Sequence, residues 1–217
     1  MYHLGVERQR RRVQVIVTIA ILATLALLGR HQILRAAGWA LVADDPVQPS
    51  DWIVIAVDAD GAGVLEAADL VHQGLAHQVA VFDDSPDVVR REFARRGIFN
   101  EAKAARETRQ LNALGVEHVQ QIPYDVVGTE AEGTVLPEWC EAHRARSVIV
   151  VSSADHTRRL RRVLHRAMKG RGTTVTVRRA RYSEFDPDAW WRERSGARTE
   201  IVEFQKLLLD LIRHPLS

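Results

Sequence analysis

Ser152-Ser153-Ala154-Asp155-His156-Thr157-Arg158-Arg159 brings hydroxyls, an imidazole and two guanidiniums into eight residues, a set of groups suited to an anion. The residues before it, Ser147–Val151 (SVIVV), form the apolar, β-branched run expected of a strand buried on both faces. Beyond it Leu160, Val163, Leu164, Ala167 and Met168 recur at helical spacing, with Asp155 as the predicted N-cap. A helix that starts at the carboxyl end of a strand gathers unpaired N–H groups and the positive end of the helix dipole. The competing reading is a plain capped loop followed by a solvated basic helix face.

The elements that must position this segment alternate along the chain. Strands are predicted at Trp52–Val57, Gln78–Phe82, His118–Pro123, Ser147–Ser152 and Thr174–Arg178. Helical patterns lie between them at Val64–Gln73, Pro86–Arg95, Glu101–Leu114, Thr129–His143 and Asp155–Lys169, and Thr199–Arg213 closes the domain. Such alternation implies βαβ units and an α/β, Rossmann-like, mostly parallel sheet with helices on both faces. In sheets of this kind ligands sit beyond the carboxyl ends of the strands, near a switch in strand order.

That rule selects two more loops. One is Asp58-Ala59-Asp60-Gly61-Ala62-Gly63; the other is Gly128-Thr129-Glu130-Ala131-Glu132-Gly133. Small residues let a ligand approach the backbone. For Thr129 and Glu132 the alternative is a capping box, whose spacing they match.

Val13–Gly29 carries no charge and follows Arg8, Arg10, Arg11 and Arg12. We read residues 1–12 as a cytoplasmic basic tail, 13–34 as a single N-terminal transmembrane signal anchor in the lipid bilayer, 35–50 as a linker and 51–217 as the domain. A cleaved signal peptide fits less well, because no A-x-A site follows the apolar stretch closely. The arginine asymmetry places the amino end in the cytoplasm and the domain outside a bacterial-type inner membrane. A lone cysteine, Cys140, is compatible with that compartment.

Net charge is +2, but residues 1–35 hold six Arg against Glu7 alone, so the remainder is net acidic. No nucleic-acid partner is expected of such a domain. Its charge is uneven all the same: 157–181 has ten Lys or Arg and no acid, and 42–69 has seven Asp or Glu and no Lys or Arg. Solvated faces are the usual meaning of such runs, with local use near the loops as the alternative.

Other chemistries are disfavoured. Nine scattered histidines show no ligand spacing, so no metal site is expected, and Ala62 stands at a ligand position of the calcium loop that Asp58-x-Asp60 suggests. Neither G-x-S-x-G nor G-x-G-x-x-G is present. Ile53–Gly61 looks like the nucleophile motif of haloacid-dehalogenase-type phosphohydrolases, with Asp58 attacking phosphorus and Asp60 as acid. The order of the other motifs, with Asp83-Asp84 on the second strand, departs from that family.

The arrangement resembles another family, the domain of unknown function typified by YdcF, SanA and ElyC. Its landmarks are Asp51–Ile55, Ala67–Gly74, Leu114-Gly115-Val116, the T-x-x-E loop at Thr129 and Glu132, the S-x-x-H-x-x-R segment at Ser153, His156 and Arg159, Trp190-Trp191-Arg192, and Glu203-x-x-Lys206. The resemblance implies a Rossmann-like fold, a membrane anchor in some members and an association with envelope integrity. It implies no agreed reaction and no named cofactor or protein partner. Asp58 and Asp60 stand where that family has a Gly-rich turn.

The expected function is binding of a small anionic ligand, phosphate- or nucleotide-like, in envelope biogenesis or barrier maintenance. Ser152, Ser153, His156, Arg159, Thr129, Glu132, Asp58 and Gly61 are the expected ligand-binding residues; His156, Asp58 and Glu132 are the catalytic candidates. The alternatives are a phosphohydrolase or transferase acting on a phosphorylated envelope metabolite, and a non-catalytic envelope partner.

Overall fold

The computed structural model describes residues 2–83, 86–99, 101–123 and 128–215, apart from the side chains of 2–10, 12–13, 20, 22–23 and 25–28. Two compact units divide the chain, Met1–Ala37 and Gly38–Ser217. The first is the body of a helix, α1, that spans Tyr2–Leu41. Among the described residues no helix is long and apolar enough to cross a membrane; several side chains of the expected anchor lie outside that set.

In the second unit β1 (Trp52–Ile55), α2 (Asp60–His72), β2 (Val79–Phe82), α3 (Val88–Arg95), α4 (Lys103–Ala113), β3 (Val119–Ile122), α5 (Thr129–Ala142), β4 (Ser147–Ser152), α6 (Thr157–Ala167) and β5 (Thr174–Arg179) alternate as strands and helices. A 3-10 turn at Trp190–Arg192 and α7 (Arg194–Arg213) follow. The strands form one five-stranded sheet in the order β3-β2-β1-β4-β5, and every pair is parallel. Strand order reverses between β1 and β4, so the crevice for a ligand opens beyond Ile55 and Ser152.

Alternation along the central strands sends their side chains to two apolar layers. Trp52, Val54, Val148 and Val150 pack with Leu136 and Trp139 of α5 and Leu160 and Leu164 of α6. Ile53, Ile55, Ile149 and Val151 pack with Val64, Ala67 and Leu70 of α2 and Leu111 of α4. Each fully buried side chain of this size contributes about 1.5–3 kcal/mol, which keeps the strand ends fixed while the loops beyond them carry polar groups. Ser50 and Asp51 join the start of β1 to its surroundings: Asp51 Oδ2 accepts from the N–H groups of Arg146 and Ser147.

Part of the acidic run pairs with part of the basic run. Glu66 of α2, fully buried, accepts from Arg178 Nε at 3.1 Å and from Arg181 Nε at 2.8 Å. Asp44 holds Arg178 and Arg179, and Asp45 holds Arg161. Asp45 also pairs with β5 through Val177, donating to its carbonyl and accepting from its N–H. That contact covers an edge strand that would otherwise be open, so residues 38–50 are part of the folded unit.

α5 and α6 approach closely because residue 133 has no side chain; a Cβ there would stand 2.5 Å from Val163 Cγ1. Gly133→Ala should therefore destabilise the protein by about 1–3 kcal/mol, overpacking outweighing the helix propensity gained. Urea unfolding of the full chain measures this, and an unchanged midpoint would mean that Val163 yields freely.

Candidate functional site

Beyond β1 and β4 lies a cleft of about 1090 Å³ whose walls include Asp58, Gly61, Thr129, Glu132, Ser153, Asp155, His156, Arg159, Glu203 and Lys206. Three helices begin at it: α2, α5 and α6, with N-cap residues Ala59, Gly128 and His156, none of which makes a side-chain cap. Their first-turn N–H groups are thus left without the side-chain acceptor that usually serves them.

Two local expectations change here. Asp155 is not the N-cap of α6, because His156 N–H closes a turn on the Ser153 carbonyl and the helix starts at Thr157. Nor do Thr129 and Glu132 form a capping box. Glu132 Oε1 instead accepts from Val57 N–H at 2.8 Å, joining α5 to the end of β1. The strand's last donor needs an acceptor once the ladder stops, and this tertiary demand outweighs the local spacing.

Asp58 is held from below. Ser152 Oγ lies 3.1 Å from both its carboxylate oxygens, and Ser153 donates to Oδ2 through Oγ at 2.5 Å and N–H at 3.3 Å. Ser152 is fully buried under Asp58 and does not line the cleft, whereas Ser153 does. Asp60 opens α2 with φ +42° and pairs with Lys103 Nζ at 2.9 Å. A positive φ is tolerated by aspartate better than by most residues.

Opposite them, Thr129 Oγ1 is 2.6 Å from His156 Nε2, and His156 Nδ1 is 3.2 Å from Glu203 Oε2. Arg159 donates from Nη1 to Thr129 Oγ1 at 2.7 Å and from Nη2 to Glu203 Oε2 at 3.2 Å. Lys206 Nζ donates to the other Glu203 oxygen at 2.6 Å. Arg158, its neighbour in sequence, turns away to the Val42 and Trp39 carbonyls, so one of the two guanidiniums serves the cleft.

Seven carboxylates line the cleft against Arg159, Lys206 and His156, yet several are muted. Burial, reinforced by the charge of Asp58, pushes Glu132 up to about 7. Burial also raises Asp155, and Asp58 adds to that rise. At Glu203 burial is outweighed by hydrogen bonds from His156 and Lys206, which hold it down at about 2. Burial opposes the His156 cation, but Asp58 and the Glu203 hydrogen bond prevail and raise it.

Of the expected ligand-binding residues, the structure brings Asp58, Gly61, Thr129, Glu132, Ser153, His156 and Arg159 to one cleft. Glu203 and Lys206 join them from α7 although they were not among the predicted site residues. The available signal was a pair of opposite charges three residues apart in a helix that carries five other charged residues. Among the described residues no group of three or more His, Cys, Asp or Glu is placed to hold a metal ion. Fold and cleft define a Rossmann-like α/β protein with its crevice at the β1/β4 reversal. No protein-family model, no curated protein and no solved structure matches the chain.

Proposed function

We propose that the protein binds a small anionic, phosphate- or nucleotide-like ligand in this cleft. The observation that carries the reading is the meeting of three helix starts without side-chain caps with Arg159 and Lys206 around one cavity. Helix N-termini and a guanidinium supply N–H donors and positive potential together. Glu132, carrying a proton part of the time near neutrality, lowers the repulsion an anion would meet. Residues 13–34 anchor the chain in a bacterial-type membrane with the domain outside, and the protein serves envelope biogenesis or barrier maintenance as a YdcF-like domain. The apolar, uncharged sequence after four arginines supports the anchor.

The test is thermal unfolding of the full chain in detergent micelles with inorganic phosphate, a nucleoside monophosphate or chloride alone. Phosphate and the nucleotide should raise the transition temperature and chloride should not. Lys206→Ala, whose side chain is half exposed, should weaken binding by roughly tenfold or more while costing the free protein only part of the stability that Glu203 supplies. Absence of stabilisation by either phosphate compound, or equal affinity in the variant, would overturn the reading. A reporter fused after Ser217 should be active only outside the cytoplasm.

The tethering of Asp58 by Ser152 and Ser153 leaves little support for Asp58 as a phosphoryl nucleophile. A different group in the same cleft is better placed to react.

A further inference from the structure

We propose that Thr129 is a nucleophile, with His156 as its general base and Glu203 as the positioning residue behind the imidazole, and that the protein cleaves an acyl ester in this cleft. The chain of contacts runs Thr129 Oγ1, His156 Nε2, His156 Nδ1, Glu203 Oε2, at 2.6 and 3.2 Å. A hydroxyl, an imidazole and a carboxylate in this order are the parts of a nucleophilic triad, which is recognised by geometry and not by chain order.

The relay runs from the hydroxyl to the imidazole when the imidazole proton sits on Nδ1. Arg159 Nη1 already donates to Thr129 Oγ1. With the imidazole proton on Nδ1, that proton goes to Glu203, Arg159 Nη2 gives up its 2.9 Å approach to Nδ1 and donates to Glu203 alone, and the threonine hydroxyl donates to the bare Nε2. With the proton on Nε2, the bare Nδ1 would accept from Arg159 Nη2 at 2.9 Å, but Thr129 would face donors from both His156 and Arg159 and its own hydrogen would have no acceptor among these groups. The arrangement that gives the threonine hydrogen an acceptor puts the base beside the hydroxyl. Arg159 at 2.7 Å further stabilises the alkoxide as it forms. Gly128 gives α5 no side-chain cap, and since Ala131 and Glu132 N–H donate to the Gly128 carbonyl, the Thr129 and Glu130 N–H groups are the ones suited to a developing oxyanion.

The step balances. Thr129 Oγ1 bonds to the ester carbonyl carbon and its proton passes to Nε2. The bond to the leaving alkoxide then breaks, and the alkoxide takes that proton. Water repeats the path against the acyl-threonine, releasing a carboxylic acid and restoring the hydroxyl. Only the preference for an ester that also carries phosphate rests on the binding reading above.

A fluorophosphonate probe tests the nucleophile on the full chain in detergent micelles: the threonine oxygen bonds to phosphorus and fluoride leaves. Peptide mass spectrometry should place the adduct on Thr129. Thr129→Ser should keep labelling, while Thr129→Ala should abolish it and His156→Gln should slow it at least about 100-fold. The groups facing His156 are Asp58 from the loop after β1, Glu132 from α5, Glu203 from α7, and Asp155 and Arg159 on its own segment. Glu203→Gln removes a charge that raises the imidazole, so the rising limb of the labelling rate should move to lower pH as the rate falls. Phosphate stabilisation is measured on the same samples. No adduct, an adduct elsewhere, or labelling that survives Thr129→Ala would overturn the proposal, even if phosphate still binds. An adduct on Thr129 without phosphate stabilisation would uphold the nucleophile and remove the phosphate preference.

Discussion

Glu203→Ala should lower the stability of the folded domain by about 3–5 kcal/mol at neutral pH, the cost of stripping a buried cation of its partner. Arg159 has a side chain only 14% exposed, and Glu203 is its sole carboxylate partner among the described residues. Lys206 and His156 lose the same acceptor. The effect carries a pH signature. Glu203 sits at about 2 when folded, below the ordinary carboxylate value of about 4.5, so the folded state binds its proton less readily than the unfolded state does. Its stabilisation is fully present above about pH 4.5 and is lost as pH falls toward 2, amounting to about 3 kcal/mol. Urea unfolding of the parent and Glu203→Ala, paired at pH 7 and at pH 2.5, should show the gap between them narrowing in acid. A gap of constant size would mean that the carboxylate is not held by these cations. Glu203→Gln, which keeps neutral acceptor atoms, should fall between the two.

That hub shows where local sequence reasoning reaches its limit. The central strands were legible because a parallel sheet buried on both faces demands apolar, β-branched runs, and Ser147–Ser152 begins and ends where the pattern does. Helix starts were legible at Thr129 but not at α2 or α6. α2 begins at Asp60 because Gly61 and Gly63 lie inside its first turn, where Gly63 leaves room for Ala59 and Ile55, although a glycine pair reads as loop. Glu203 and His156 are 47 residues apart and meet only because α7 docks beside α6. No spacing rule carries that information; the resemblance marked Glu203-x-x-Lys206, but without a role. The charged runs were legible as runs, and their pairing as Glu66 with Arg178 and Arg181 became visible only once α2 and β5 were placed. A capping-box spacing at Thr129 and Glu132 was legible too, and the unmet N–H of Val57 redirected it.

Glu132 makes the opposite prediction to Glu203, and its effect reaches function. Its folded value of about 7 lies above the unfolded value, so the folded state binds the proton more readily. The associated stability is fully present below about pH 4.5 and is lost as pH rises through 7, by about 3 kcal/mol. Glu132→Gln keeps an oxygen acceptor for Val57 N–H and cannot ionise. It should therefore raise the transition temperature at pH 8 while leaving it nearly unchanged at pH 4.5. Glu200 is also raised to about 7, by burial and the charge of Asp155, and remains in the variant, so the profile should flatten without becoming level. Destabilisation of equal size at both pH values would show that the charged carboxylate is the stabilising form. The same proton should govern the anion. Sulfate, whose charge is constant over this range, should bind the parent more tightly as pH falls from 8 to 6, and Glu132→Gln should lose part of that dependence. The part that remains belongs to His156 and Asp155, which face the same cleft and each gain a proton in the direction that favours an anion.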